Sequence, residues 1–291
     1  MTDFIQFLLA GVSIGAIYAM IALGFVLLWQ TSNTINFAEG EFVVLPAFVM
    51  VLFWVHLEWT FLPAMLATIA VSTLLLGVFM RKALIARLLE QGLLPVIIAT
   101  IGLALFIRYS LSEFWTPQAM NFPPVFARES MRLGDLIVPW EELMNVLVAG
   151  LAIGALHLFI TRTRLGWALQ AIAQNRPLAT VLGIDVAGLV TLIFVLNAAL
   201  TAGAAILIAP IYLVKYDIGI QLGLKAFYAA IIGGFNQIRG ALLGGLLVGV
   251  VETLTAAYLT NTFRDGVVLS ILIAVLMLKP EGIWGVKEEW S

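Results

Sequence analysis

The chain has 291 residues, of which 62% are apolar or aromatic and 11% charged, with a mean hydropathy of +1.07. Soluble domains average about 45–50% apolar and about 25% charged, so this composition needs lipid as part of its solvent and excludes an ordinary soluble enzyme or binding module. The formal charge of −2 leaves no basic field for nucleic acid, and the absence of cysteine excludes disulfides, thiolate metal sites and thiol nucleophiles.

The N-terminus, Met1-Thr2-Asp3-Phe4, places no basic residue before its first apolar run, which predicts a retained membrane segment rather than a cleaved signal. Apolar runs long enough to cross or nearly cross a bilayer lie near 4–29, 42–56, 60–79, 93–112, 143–161, 186–208, 239–258 and 266–279. A further piece, 226–234, is too short to cross alone. The expected fold is all-α, a polytopic bundle of about eight membrane segments with discontinuous or re-entrant helices, in one transmembrane domain over 1–291. Continuous rather than alternating apolar runs argue against a β-barrel.

Loop charges suggest an orientation. Arg81, Lys82 and Arg87 in one loop, and Arg162, Arg164 and Arg176 in another, predict cytoplasmic loops. Segment 113–142 sets Arg128 and Arg132 against Glu113, Glu129, Asp135, Glu141 and Glu142, and it carries four prolines with Trp115 and Trp140. It reads as a structured external cap. Lys279 and Lys287 predict a cytoplasmic C-terminus, and counting back three spans from Arg81 puts the N-terminus outside.

Two polar interruptions fall among the spans. Residues 30–41 include Asn33, Thr34, Asn36, Glu39 and Glu41. Non-helical backbone survives at membrane depth only inside protein or beside a water-filled path, so Asn33, Asn36, Glu39 and Glu41 are candidates for a translocation path. The alternative is a polar loop in which Thr34 or Asn36 caps the next helix. The second interruption is a half-length run from Lys225 to Gly233-Gly234, then Phe235-Asn236-Gln237 and a further span. Half-helix, glycine pair and full helix read as a re-entrant element, with Gly233, Gly234 and Asn236 beside the path. Asn197, inside a span, either bonds across helices or faces the pore.

Gly240, Gly244, Gly245 and Gly249 give two interleaved G-x-x-x-G pairs, and Gly11/Gly15 and Gly150/Gly154 repeat the spacing. Small residues four apart let helices approach closely, so these are packing positions. Glu252 lies in the same span and either acts inside the membrane or reaches its interface. His56 and His157 stand alone, without partners at metal-ligand spacing.

Residues 162–184 form the other informative segment. Apolar residues at 165, 168, 169, 172 and 173 predict a short helix, Asn175-Arg176-Pro177 a corner, and Leu178, Val181 and Leu182 a second short helix stopped at Gly183. It is either a compact knob offered to a cytoplasmic partner or a connector lying along the membrane.

These stretches together resemble the branched-chain amino-acid ABC transporter permeases. Thr34 to Phe42 is similar to the family's I-N-F-A-H-G-E-F segment, with Glu39 standing where the family usually has His. Ala171 to Ala179, continuing to Leu182-Gly183-Ile184, resembles its coupling-loop signature. Lys225 to Gly234 with Gly240-Ala241-Leu242-Leu243-Gly244-Gly245 resembles its G-G…G-A-x-x-G-G segment. The order and length of the matches fit the smaller of two paired permease subunits. The resemblance implies a multi-pass protein of the bacterial inner membrane, with a second related permease, two cytoplasmic ATPase subunits, an extracytoplasmic solute-binding protein and an amino-acid substrate. It implies that Ala171, Gln174, Asn175, Arg176, Pro177 and Gly183 couple to the ATPases. The sequence has no G-x-x-x-x-G-K-[ST] phosphate loop, so no cofactor is expected and ATP would be hydrolysed by partners. Rival expectations are a permease for urea or short amides, or a self-sufficient carrier using Glu39 and Glu41.

Overall fold

The computed structural model describes residues 2–89, 91–125, 130–133 and 136–285; Arg128, Glu129, Asp135 and Lys287 lie outside them. Among the described residues, seven helices are long and apolar enough to cross a membrane, and two more apolar helices, Glu41–His56 and Ile218–Gly233, are shorter. The elements are α1 (Thr2–Ser32), α2 (Glu41–Met50), α3 (Phe61–Ser72), α4 (Ala86–Leu89), α5 (Leu93–Phe114), β1 (Ser130–Leu133), β2 (Leu136–Pro139), α6 (Trp140–Arg162), α7 (Arg164–Gln174), α8 (Arg176–Val181), α9 (Val186–Tyr212), α10 (Ile218–Gly233), α11 (Ile238–Tyr258) and α12 (Arg264–Leu278). α2 continues as a π-helical segment, Val51–His56, and α3 continues through two more, Thr73–Phe79 and Arg81–Ile85.

Seven of the eight predicted runs therefore fall in helices long enough to cross, the run at 42–56 falls in the shorter Glu41–His56 helix, the half-length piece 226–234 ends α10, and the departure from all-α is a small antiparallel hairpin. It pairs Ser130 with Pro139 and Leu133 with Leu136 inside the segment read as a structured cap. Trp115, in the same segment, packs edge-on against Phe48 at 5.4 Å.

The chain divides into two compact units, one of Met1–Val26, Pro123–Leu151 and Leu224–Ser291, the other of Leu27–Phe122 and Ala152–Gly223. In the first, α1 meets α11 through glycine. A Cβ on Gly11 would lie 2.7 Å from Val250 Cα, one on Gly15 2.8 Å from Gly245 O, and one on Gly245 2.5 Å from Ala19 N. The interleaved G-x-x-x-G pairs face two ways. Gly245 and Gly249 abut α1, while Gly240 and Gly244 abut α10 at Gly233 and Ala229. Gly150 and Gly154 have nothing within 4 Å of where a Cβ would stand, so their spacing serves no packing within the described chain.

The half-helix α10 ends at Gly233, and Gly234 turns the chain with φ +115°, a value that side chains beyond glycine rarely adopt. Its last carbonyls cannot find partners inside the helix. The C-terminal segment supplies them: Ile283 N–H donates to Ile232 O at 2.8 Å and Trp284 N–H to Gly233 O at 3.0 Å.

In the second unit α9 is the axis. α2, α3 and the Thr73–Phe79 segment all pack on it, the last through Gly77 against the backbone of Val195. α5 packs against α2.

Candidate functional site

The break between α1 and α2 is where the sequence placed its path residues, and its backbone is satisfied largely by side chains. Thr31 and Ser32 hydroxyls donate to Leu27 O and Leu28 O at 2.8 and 2.6 Å, taking up carbonyls at the end of α1. Asn33 then adopts φ +50° and its N–H bonds Trp29 O, a left-handed stop of the kind asparagine tolerates. Asn33 is exposed and plays this terminating part; the structure does not join it to the polar cluster beyond. In that cluster the Phe37 N–H donates to Thr100 Oγ1 and the Ala38 N–H to Asn36 Oδ1.

Three of the predicted residues meet here. Glu39 Oε2 accepts from Asn36 Nδ2 at 3.0 Å and from Asn197 Nδ2 at 2.9 Å. Glu39 and Asn197 are 0% exposed and Asn36 3%, so this is a sealed acid–amide node joining the break to the middle of α9. Thr201 donates back to Asn197 O, the usual way a hydroxyl is accommodated inside an apolar helix.

Glu41 stands two residues on and is handled differently. Arg108, from the middle of α5, directs both Nε and Nη2 at Glu41 Oε1, at 3.0 and 2.5 Å. The first turn of α10 lies over the carboxylate. A Cβ on Gly219 would come within 2.9 Å of the Glu41 carboxylate, and Gly40 presses on the Gly219 backbone. Just before that turn, outside the spans, Lys215 pairs with Asp217 at 2.8 Å, and the Asp217 carboxylate holds the ammonium above its ordinary range. Arg108 was not singled out from the sequence, although an arginine inside an apolar span is itself a signal.

The first unit holds a separate buried charge cluster. Lys225 Nζ lies 2.6 Å from Glu252 Oε1 and 3.4 Å from Asp265 Oδ1, and Arg264 Nε lies 3.0 Å from the same Glu252 oxygen. Lys225 also stands 6.0 Å above the Tyr18 ring. Glu252 is thus held inside the protein rather than reaching an interface, and it ties α10, α11 and α12 together. Gly233 and Gly234 form the turn already described, and Asn236 is half-buried beyond it. These three lie in the first unit, and the Asn36–Glu39–Asn197 node in the second.

Residues 162–184 fold as expected into two short helices with a polar corner. Thr163 caps α7 by accepting from Gly166 N at 3.0 Å, and Asn175 caps α8 by accepting from Leu178 N at 2.9 Å. Pro177 sits in the first turn of α8, where its missing N–H costs nothing, and Gly183 ends the motif at φ +80°. Gln174, Asn175, Arg176 and Pro177 are exposed and Ala171 half-buried. Leu169, Ile172 and Ala179 face inward, leaving Leu178, Val181 and Leu182 outward, with Val181 83% exposed. Among the described residues, no group of three or more histidine or carboxylate side chains could hold a metal ion.

Comparison with known proteins agrees with this architecture. The family described as "Branched-chain amino acid transport system / permease component" matches residues 7–277. The high-affinity branched-chain amino acid transport system permease protein BraD of Pseudomonas aeruginosa is 33% identical, over 97% of this chain and 96% of the relative. The corresponding LivH of Escherichia coli is 30% identical over the same shares of the two chains. In fold, the chain is similar to PsaBC from Streptococcus pneumoniae in complex with Fab, with a TM-score of 0.50 and 11% identity over 95% of this chain and 91% of that one. With its seven long apolar helices and two shorter ones, the chain is a multi-pass membrane protein, and it belongs to the branched-chain amino acid transport system permease family.

Proposed function

We propose that this chain is one membrane-spanning subunit of an ATP-driven importer that moves branched-chain amino acids across the inner membrane. It works beside a second, related permease, two cytoplasmic ATPase subunits and an extracytoplasmic binding protein. The observation that carries the reading is the break at residues 33–40. A family of transport permeases is expected to place irregular backbone where a solute passes, and here the break is closed by a sealed polar node rather than left as a solvated loop.

The α7–α8 knob is the proposed contact for the ATPases. Its corner, Gln174 to Pro177, is exposed, and the Asn175 cap fixes the angle between the two helices. Closure of the ATPase pair on ATP would push on Leu178, Val181 and Leu182 and move α9, which begins only three residues after Gly183. Transport then follows from two packings of the membrane helices that hold the solute differently. The test is reconstitution of the permease with the proteins that co-purify with it, followed by radiolabelled leucine uptake. Uptake that needs hydrolysable ATP, and ATP hydrolysis that persists while uptake is lost in Arg176→Ala, is the expected result. Uptake by the lone chain, or normal uptake in Arg176→Ala, refutes it.

A further inference from the structure

Among the described residues, three carboxylates are almost wholly buried, Glu39, Glu41 and Glu252. Glu41 receives Arg108, and Glu252 receives Lys225 and Arg264. Glu39 receives two amide N–H groups and, among the described residues, no cation. Both amides donate to the same oxygen, Oε2. The other oxygen, Oε1, and Asn197 Oδ1 are buried and accept from nothing among the described residues. A buried carboxylate gains most from a positive partner, and buried acceptors left open cost free energy. The node therefore lacks one positive charge and at least two hydrogen-bond donors.

We infer that Glu39 Oε1 and Asn197 Oδ1 form a subsite for the α-ammonium group of the amino acid in transit, an inference that rests on the function proposed above. A primary ammonium carries one positive charge and three N–H donors, which is what the node lacks. A hard metal ion is a poorer match. Such ions take six or more oxygens, or a full octahedron, and two side-chain oxygens are open here. The node is closed in this conformation, so the subsite is used when helix movement parts α9 from the break. Asn36 and Asn197 hold the Glu39 carboxylate in place through Oε2, leaving Oε1 to meet the substrate. Glu39 and Asn197 are accordingly contact residues, and Asn36 is a positioning residue.

The experiment uses two readouts on the reconstituted importer and the purified permease. Glu39→Gln keeps the shape and both amide contacts and removes the charge. Leucine uptake should fall roughly 10- to 100-fold in its maximal rate, the equivalent of one lost hydrogen bond to a charged group. ATP hydrolysis should be retained and Glu39→Asp should recover part of the rate. Separately, isoamylammonium should raise the thermal stability of the wild-type permease and leave Glu39→Gln unmoved, while 4-methylpentanoate, which lacks the ammonium, should shift neither. Sodium chloride reproducing the isoamylammonium effect would identify a metal-ion site and overturn the inference. So would a Glu39→Gln protein whose maximal uptake is intact but whose pH profile is displaced, since that describes a proton site. Failure of the wild-type complex to take up leucine counts against the proposed function alone, because the isoamylammonium comparison does not depend on transport. Equal stabilisation of wild type and Glu39→Gln counts against the subsite alone.

Discussion

Removal of Lys225 is the sharpest test of how the first unit is held together. In Lys225→Met the side-chain volume is nearly conserved, and Glu252, with a side chain 2% exposed, loses the cation 2.6 Å away. It keeps Arg264 at 3.0 Å. Breaking a buried pair from one side costs about 3–5 kcal/mol, and the remaining arginine places this variant near the lower end. Glu252→Met is expected to cost more. Lys225 then keeps Asp265, at 3.4 Å and with a side chain 67% exposed, an anionic partner weakened by solvent. Replacing both, Lys225→Met with Glu252→Met, removes the charges that needed each other and lets Arg264 and Asp265 turn to the surface, so most of the loss should be recovered. The coupling between the two positions should therefore exceed about 3 kcal/mol. Detergent unfolding followed by fluorescence of the eight tryptophans measures all four proteins. Losses that simply add in the double variant would refute the pairing as the source of stability.

Three further outcomes follow from the geometry. Gly249→Ala drives a methyl into the Gly15 backbone and should cost about 1–3 kcal/mol, whereas Gly150→Ala, with open space around it, should stay within about 0.5 kcal/mol of wild type in the same unfolding assay. Arg108→Ala strands Glu41 without its cation and should lose about 3–5 kcal/mol, and Arg108→Lys should recover only part, since an ammonium cannot reproduce the two-nitrogen contact; thermal melts of the three proteins decide it. Asn175→Ala removes the cap of α8 and should weaken that helix by about 0.5–2 kcal/mol, read as faster hydrogen exchange at the Leu178 amide with the membrane helices unchanged.

The membrane helices were legible because twenty apolar residues in a row have few other uses. The knob was legible because asparagine, proline and glycine sit where a cap, a first turn and a left-handed stop need them. The hairpin at 130–139 was not, since four-residue strands beside several prolines carry no periodic signal. The π-helical segments at 51–56, 73–79 and 81–85 were equally hidden, since nothing in their local composition distinguishes one helical hydrogen-bond pattern from another. Pairings were the largest gap. Arg108 finds Glu41 across 67 residues and Lys225 finds Glu252 across 27, and a single sequence does not say which charges will meet.

Burial argues against the reading of the break as a solvated polar loop. A polar loop between spans would keep its carboxylates in water, because surrendering hydration without compensation costs several kcal/mol per charge. Glu39 and Glu41 are 0% and 1% exposed, and Asn36 is buried with them. A chain that only needed to turn could have done so with the glycine and one asparagine, as it does at Asn33. Keeping two acids and two amides in the interior requires Arg108 from α5, Asn197 from α9 and the close approach of Gly40 to Gly219, all brought to the break and the first residue of α2. In the function proposed above, where the break changes its packing, each of these contacts is a place where a second packing would be held or released.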